Sequence, residues 1–208
     1  MKQLIIIGVL TLVCSPFSSS QRYRTSQEDE LVDGINYRMD TYAFQYNCLD
    51  KALKVRDPNQ VKEIYFRGCT EYYTSFPREV LRFKNLEVLI FHEGEFRWIP
   101  REIKQLKKLK VLGIWSRLVG LPSELGELTE LRYLNLANNK IKKIPPSFQN
   151  LRKLRHLDLS TNPMTEFPSF MVDLPNLSYF SWFNNRCDIV PERIRQLPKF
   201  SFYLYCRP

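Results

Sequence analysis

Three residues of the chain have the types found in a hydrolytic triad: His156, Asp158 and Ser160. They occupy alternate positions, so in a β-strand their side chains point to the same face. Neighbouring members are then about 6.6 Å apart along the strand, whereas a nucleophile and its base must approach to about 3 Å. No glycine-rich nucleophile turn accompanies them. The pattern predicts a polar stretch of a strand surface, and catalysis through His156 is a remote alternative.

The sequence also lacks the patterns that bind a cofactor or a metal ion. It has no phosphate-binding loop, no paired-carboxylate motif and no close cysteine or histidine pair with ligand spacing. We therefore expect no catalytic residue, no cofactor and no metal, and we expect the chain not to be an enzyme.

A formal net charge of +9 could attract nucleic acid, acidic proteins or anionic glycans. Most lysines and arginines, however, lie between leucines, as in residues 105–110, which is typical of a solvated face. Because no basic-aromatic motif of a known nucleic-acid reader appears, nucleic acid is not an expected partner.

The polar triplet belongs to a repeat of about 23 residues, which is the dominant feature of the sequence. The clearest copy is Leu131-x-x-Leu134-x-Leu136-x-x-Asn139-x-Ile141-x-x-Ile144-Pro145-x-x-Phe148-x-x-Leu151, and copies at Leu154 and Leu177 follow it. Looser copies begin at Val61, Leu86 and Leu109, with Cys69, Gly94 and Arg117 in or near the asparagine position. The copy that begins at Val61 has two extra residues, and the copy that begins at Leu109 lacks one.

Residues 61–205 thus resemble leucine-rich-repeat proteins, specifically exported bacterial proteins with the 23-residue LxxLxLxxNxLxxLPxxI repeat. The resemblance implies an α/β fold, a curved solenoid with a parallel sheet on the concave side and irregular or helical turns on the convex side. The residues agree, because alternate leucines suit a strand with one buried face and the asparagine amide can hydrogen-bond backbone groups.

The domain organisation follows from this phasing. We expect a signal peptide at 1–20, an N-terminal tail and helical cap at 21–60, six repeats at 61–199 and a C-terminal cap strand at 200–208. Within the N-terminal cap, Leu49 to Leu53 has the pattern of a short helix that ends before Asp57-Pro58-Asn59.

The leader predicts an exported protein, either secreted or held at the cell surface or in the periplasm. An apolar run of ten residues after Lys2 and three serines at 18–20 are typical of a cleaved signal peptide. Cys14 offers a second interpretation, a lipid-anchored form, although Val13 fits a lipidation motif poorly. Membrane association is expected only through such an anchor.

Four cysteines follow the leader: Cys48, Cys69, Cys187 and Cys206. An oxidising compartment favours pairing, and four cysteines allow three connectivities. Pairing within each end, Cys48 with Cys69 and Cys187 with Cys206, is the simplest arrangement, and four free buried thiols are the alternative.

In this fold the variable strand positions usually form the binding face. Several of them are aromatic or aliphatic, which predicts contact with a partner. A protein is the expected partner, and a glycan or cell-wall polymer is the alternative. Strand propensity or packing under the N-terminal cap could instead explain Tyr65 and Val88. The predicted binding residues are Tyr65, Ile90, Val111, Trp115, Tyr133, His156, Tyr179 and Phe183.

Overall fold

A computed structural model of the chain describes residues 48–67, 73–92, 94–186 and 188–195. Their dominant feature is one sheet of six parallel strands that lie side by side in chain order. The fold class implied by the repeat is therefore confirmed. The strands are β1 Glu63–Phe66, β2 Val88–Phe91, β3 Val111–Ile114, β4 Tyr133–Asn135, β5 His156–Asp158 and β6 Tyr179–Ser181.

Equivalent repeat positions face each other across every pair of strands. Val88 pairs with Val111, Val111 with Tyr133 and Tyr133 with His156. This register is kept although the first repeat is two residues longer and the third is one shorter. The turns between the strands therefore absorb the length differences, while the sheet keeps its side chains in rows.

The turns opposite the sheet are short 3₁₀ helices, each of which directly follows a proline. In every case the proline carbonyl accepts a hydrogen bond from the backbone N–H three residues later. Val80 N–H, for example, donates to the Pro77 carbonyl at 3.2 Å. Proline fixes φ near −65°, which suits the first turn of a helix. These helices are Arg78–Arg82, Arg101–Gln105, Ser123–Glu127, Pro146–Asn150 and Ser169–Asp173.

The core lies between the sheet and these turns. Leu134 and Leu136 of one repeat are completely buried, as is Ile141 beyond the strand. Apolar residues of all six repeats join into one continuous cluster. Each repeat buries its leucines only against its neighbours, so stability is close to a sum over the interfaces between repeats.

Asparagine side chains join the last repeats in a ladder, as the sequence predicts. Asn162 accepts from Ile141 N–H at 3.1 Å and donates to the carbonyls of Leu136 at 2.9 Å and Leu159 at 3.0 Å. Asn139 makes the same kind of bonds one repeat earlier, and Asn185 one repeat later. Each amide thereby satisfies backbone groups of two successive repeats.

The first half of the solenoid, where the sequence lacks these asparagines, is joined differently. Phe66 stacks on Phe91 with ring centroids 4.2 Å apart, and Phe96 meets Phe91 edge-on. Ser116 donates its hydroxyl to the Phe96 carbonyl at 3.0 Å. Arg117, which the sequence placed near the asparagine position, is exposed and pairs with Glu95 instead.

The residue before each ladder asparagine has a left-handed backbone conformation. The φ angles are 57° at Asn138, 55° at Thr161 and 61° at Asn184. Asparagine tolerates this region better than most residues, whereas a β-branched residue such as threonine is strained there.

A short helix, α1 (Leu49–Leu53), precedes the sheet, and another, α2 (Glu192–Arg195), follows it. Leu49 and Ala52 of α1 join the main core, so this helix closes its N-terminal end. Cys48 is disulfide-bonded. The signal peptide, the tail and cap through residue 47, Cys14, Cys69, Cys187, Cys206 and the C-terminal strand at 200–208 lie outside the described residues, so the connectivity stays a prediction.

The ladder predicts that Asn162→Ala destabilises the protein strongly. The substitution leaves buried backbone groups of two repeats without partners, and we expect a loss of at least about 2 kcal/mol in unfolding free energy. Denaturant unfolding measures it. The exposed Asn150→Ala is the control and should change stability little; equal, small effects in both variants would show that the ladder is not stabilising.

The backbone strain predicts that Thr161→Asn stabilises the protein. Asparagine already occupies the equivalent position at Asn138 and Asn184, and relief of the left-handed strain should add about 1 kcal/mol. Thr129→Asn, at an exposed turn position without positive φ, serves as the control. An unchanged or lowered thermal midpoint for Thr161→Asn would contradict this explanation.

Candidate functional site

The candidate site is the outward face of the sheet, the side that points away from the core. Alternate residues of each strand point there, and the strand register aligns them in rows. One row is Glu63, Val88, Val111, Tyr133, His156 and Tyr179, and the next contains Tyr65, Ile90, Gly113, Asn135, Asp158 and Ser181. The sequence placed these residues on one face correctly.

The part of this face nearest the N-terminus is not open to solvent. Tyr65, Val88, Ile90, Val111 and Tyr133 form an apolar cluster separate from the core, and their exposed fractions lie between 0% and 4%. The expectation that Tyr65, Ile90, Val111 and Tyr133 are exposed is therefore wrong. We call these five residues the covered cluster.

A column of three stacked rings crosses from the covered cluster into the second half of the face. His156 lies between Tyr133 and Tyr179, with centroid distances of 4.1 and 4.0 Å and interplanar angles of 19° and 7°. The register creates this stack, because the three residues are direct neighbours on β4, β5 and β6. His156 and Tyr179 are half-buried, so the column becomes accessible toward β6.

The stack changes the acid-base behaviour of its members. Desolvation lowers the pKa of the His156 imidazole from 6.5 to about 3. Burial raises the pKa of the Tyr133 phenol, and a hydrogen bond with Asn135 partly opposes that shift. His156 is therefore an uncharged ring at neutral pH.

A polar group lies beside the stack. Asp158 accepts from Ser160 N–H at 2.9 Å, and the Asn135 amide donates to Asp158 at 3.4 Å. The hydroxyls of Ser160 and Ser181 are 2.5 Å apart. Burial raises the pKa of the Asp158 carboxyl, while its hydrogen bonds with Ser160, Ser181 and Asn135 lower it.

These contacts give the three triad-like residues separate roles. His156 is held by ring stacking, while Ser160 pairs with Ser181 on the next strand. No group of histidine, cysteine or carboxylate side chains in the described part of the chain is placed to hold a metal ion.

Aromatic residues also follow the carboxyl ends of the strands. Trp115 is half-buried and stacks on His92 with a centroid distance of 4.8 Å. Phe183, at the equivalent position after β6, is 57% exposed. Trp98, which the sequence analysis missed, is 64% exposed and packs over Gly120 in a turn. It occupies a variable position two residues before Pro100, so the repeat pattern carried no signal for its exposure.

Two comparisons find leucine-rich repeats similar to those of this chain. Residues 121–201 match the family model described as a leucine-rich repeat region. The structure also aligns with a leucine-rich-repeat protein of Leptospira interrogans at a TM-score of 0.56 and 29% identity, over 68% of this chain and 37% of that chain. Residues 121–201 are thus a leucine-rich repeat region, and the described residues have the leucine-rich-repeat fold.

Other leucine-rich-repeat structures share the fold. An internalin of Listeria monocytogenes aligns at a TM-score of 0.54 and 19% identity, over 62% of this chain and 36% of that chain. A third structure is the ectodomain of a membrane receptor kinase of Arabidopsis thaliana, solved in complex with CASPARIAN STRIP INTEGRITY FACTOR 2. It aligns at a TM-score of 0.51 and 27% identity, over 63% of this chain and 17% of that chain.

This chain spans less than two-fifths of the Leptospira and Listeria chains. No curated protein matches it in sequence. None of the helices in its described ranges has the length and apolar composition needed to cross a bilayer.

The lowered pKa of His156 predicts a specific dependence of stability on pH. The unfolded chain takes up a proton as pH falls through 6.5, but folded His156 does so only near pH 3, so stability falls as pH falls between these values. Wild type should lose up to about 2 kcal/mol more than His156→Phe between pH 7 and pH 5.

Denaturant unfolding at the two pH values measures this difference. The raised pKa of Asp158 acts in the opposite direction, but comparison of the two proteins largely removes its contribution. His92→Phe, which replaces the other histidine of the chain, is the control. Equal pH dependence in wild type and His156→Phe would contradict the assignment.

Proposed function

We propose that this protein is an exported binding module that recognises another protein through the second half of its outward face. The contact surface consists of His156, Tyr179 and Phe183, with Asp158 and Ser160 beside them. The observation that carries the proposal is the 57% exposure of Phe183 next to the half-buried ring column.

The ring column suits protein recognition because its surface is already ordered. His156 and Tyr179 stack with an interplanar angle of 7°, so binding costs little additional side-chain entropy. Aromatic residues with adjacent polar groups are also the usual centres of binding energy at protein interfaces. The plant ectodomain of similar fold, solved in complex with CASPARIAN STRIP INTEGRITY FACTOR 2, supports a binding role.

The buried part of the predicted site has a supporting role in this proposal. Tyr133 is 4% exposed and forms the inner end of the ring column, whereas Tyr65, Ile90 and Val111 lie farther from the open half. Trp115 is half-buried and can meet a partner only at the border of the surface.

A binding role also fits the chemistry of the polar residues better than catalysis does. An imidazole with a pKa of about 3 is a weak base at neutral pH, and the Ser160 hydroxyl lies against the Ser181 hydroxyl and hydrogen-bonds the Asp158 carboxyl. The protein is therefore proposed to act without catalysis.

Export is part of the same proposal. The leader-like residues 1–20 motivate it, and the disulfide bond of Cys48 supports an oxidising compartment. Lipid attachment at Cys14 stays a prediction from the leader.

The proposal predicts that Tyr179→Ala and Phe183→Ala each weaken binding of a captured partner at least about tenfold, the loss expected of an interface hot spot. Partners are captured from the medium and cell envelope of the source organism, identified by mass spectrometry and then titrated as purified proteins. Trp98→Ala removes an equally exposed aromatic residue away from this face and should leave affinity unchanged.

Circular dichroism confirms that the variants are folded. Unchanged affinity in both outward-face variants would overturn the proposed surface. Binding of the same surface to a glycan array, with no protein captured, would favour the glycan alternative.

A further inference from the structure

Asp158 is the one side chain that carries a charge at neutral pH among the outward positions of strands β4, β5 and β6. The pKa of its neighbour His156 is about 3, so that ring is uncharged. The other outward residues of these strands are neutral: Tyr133, Asn135, Tyr179 and Ser181. A single negative charge therefore lies within an otherwise neutral and largely aromatic surface.

The groups that donate to Asp158 are all uncharged. Its carboxylate accepts from Ser160 N–H at 2.9 Å and from the Asn135 amide at 3.4 Å, and the hydroxyls of Ser160 and Ser181 also hydrogen-bond it. Burial raises the pKa of this carboxyl, whereas an adjacent cation would lower it. The hydrogen bonds thus orient the carboxylate, but no cation of the described residues compensates its charge.

Carboxylates on the turns are compensated by neighbouring repeats. Glu166, for example, pairs with Lys143 of the preceding repeat at 2.9 Å. On the outward face the direct neighbours of Asp158 in the strand register are Asn135 and Ser181, so neither adjacent repeat supplies a positive group. The repeat pattern that neutralises acidic residues elsewhere is therefore interrupted at Asp158.

The surroundings of Asp158 have room for a flat group. Ser160 and Ser181 are short and buried, whereas Phe183 projects from the next outward position of the neighbouring strand and is exposed. The Cα atoms of Asp158 and Phe183 are about 8 Å apart, because strands are about 4.8 Å apart and two residues span about 6.6 Å. Asp158 is only half-buried, so a group from solvent can reach it and the Phe183 ring together.

We propose that the outward face recognises an arginine side chain of its partner, whose guanidinium pairs with Asp158 and packs against the ring of Phe183. This inference rests on the proposed protein-binding function and names the chemistry that the surface selects. A guanidinium can donate two parallel hydrogen bonds to a carboxylate while its flat face contacts an aromatic ring. It is also less strongly hydrated than an ammonium group, which favours its transfer to a half-buried site.

Selection of random short peptides displayed on phage against the immobilised full chain tests the proposal without knowledge of the natural partner. The enriched peptides should carry an arginine. Replacement of that arginine by citrulline, which keeps the shape and removes the charge, should weaken binding at least about tenfold. Replacement by lysine should also weaken binding, because the flat contact with the ring is lost.

A double-mutant cycle connects the peptide arginine with Asp158. Asp158→Asn should weaken binding of the arginine peptide at least about tenfold and should bind the arginine and citrulline peptides about equally. Glu166→Gln removes the same charge from a turn and should leave affinity unchanged. The citrulline comparison on the unmodified chain needs no protein variant, so it holds even where Asp158→Asn alters the fold.

Several outcomes would overturn the proposal. They are enrichment of peptides without arginine, equal affinity of the arginine peptide and either counterpart for the unmodified chain, and equal citrulline effects with and without Asp158→Asn. Peptides that lose affinity in Tyr179→Ala and Phe183→Ala but not in Asp158→Asn would reject the arginine contact and leave the proposed surface intact. A selection that yields no binding peptide would likewise reject the arginine contact, while the proposed function is decided separately by protein capture.

Discussion

The structure depends on one constraint, which is that a single repeat cannot bury its own apolar side chains. Leu134 and Leu136 reach complete burial only because repeats on both sides close over them. Hydrogen bonds that run from one repeat to the next hold this stack in register. In the last repeats Asn139, Asn162 and Asn185 make these bonds, whereas the first repeats lack these asparagines and rings such as Phe66 and Phe91 stack on each other between neighbouring strands. The two halves therefore reach the same backbone arrangement by different chemistry.

The same stacking determines what the surface can do. Parallel strands in register place equivalent outward residues about 4.8 Å apart, close to the distance at which flat rings stack. Tyr133, His156 and Tyr179 use this spacing to form a continuous ring column. The column connects two unlike halves of one face, a buried apolar half over β1–β4 and an accessible half toward β6. A sheet built for stability thus presents an ordered aromatic surface without additional loops.

The sequence predicted the repeat, the strand positions and the outward rows, because a side-chain period of two leaves only one register that buries the leucines. It also predicted the asparagine ladder. It did not predict the burial of Ile90, Val111 and Tyr133, since the repeat pattern assigns them to the outward face but does not determine their accessibility. The low pKa of His156 was missed for the same reason: it comes from neighbours 23 residues away. Trp98 occupies a variable position, so the repeat pattern carried no signal for its exposure.

The central claim is that the outward face is divided into a covered half and an open half. Hydroxyl-radical footprinting of the unmodified full chain, read by mass spectrometry, tests this claim most directly because it reports the solvent accessibility of each aromatic side chain. Phe183 and Trp98 should be oxidised fastest, Tyr179 at an intermediate rate, and Tyr65 and Tyr133 should be as protected as the core residue Trp182. Oxidation of Tyr65 and Tyr133 at rates close to that of Phe183 would show that the face is open throughout and would contradict this account.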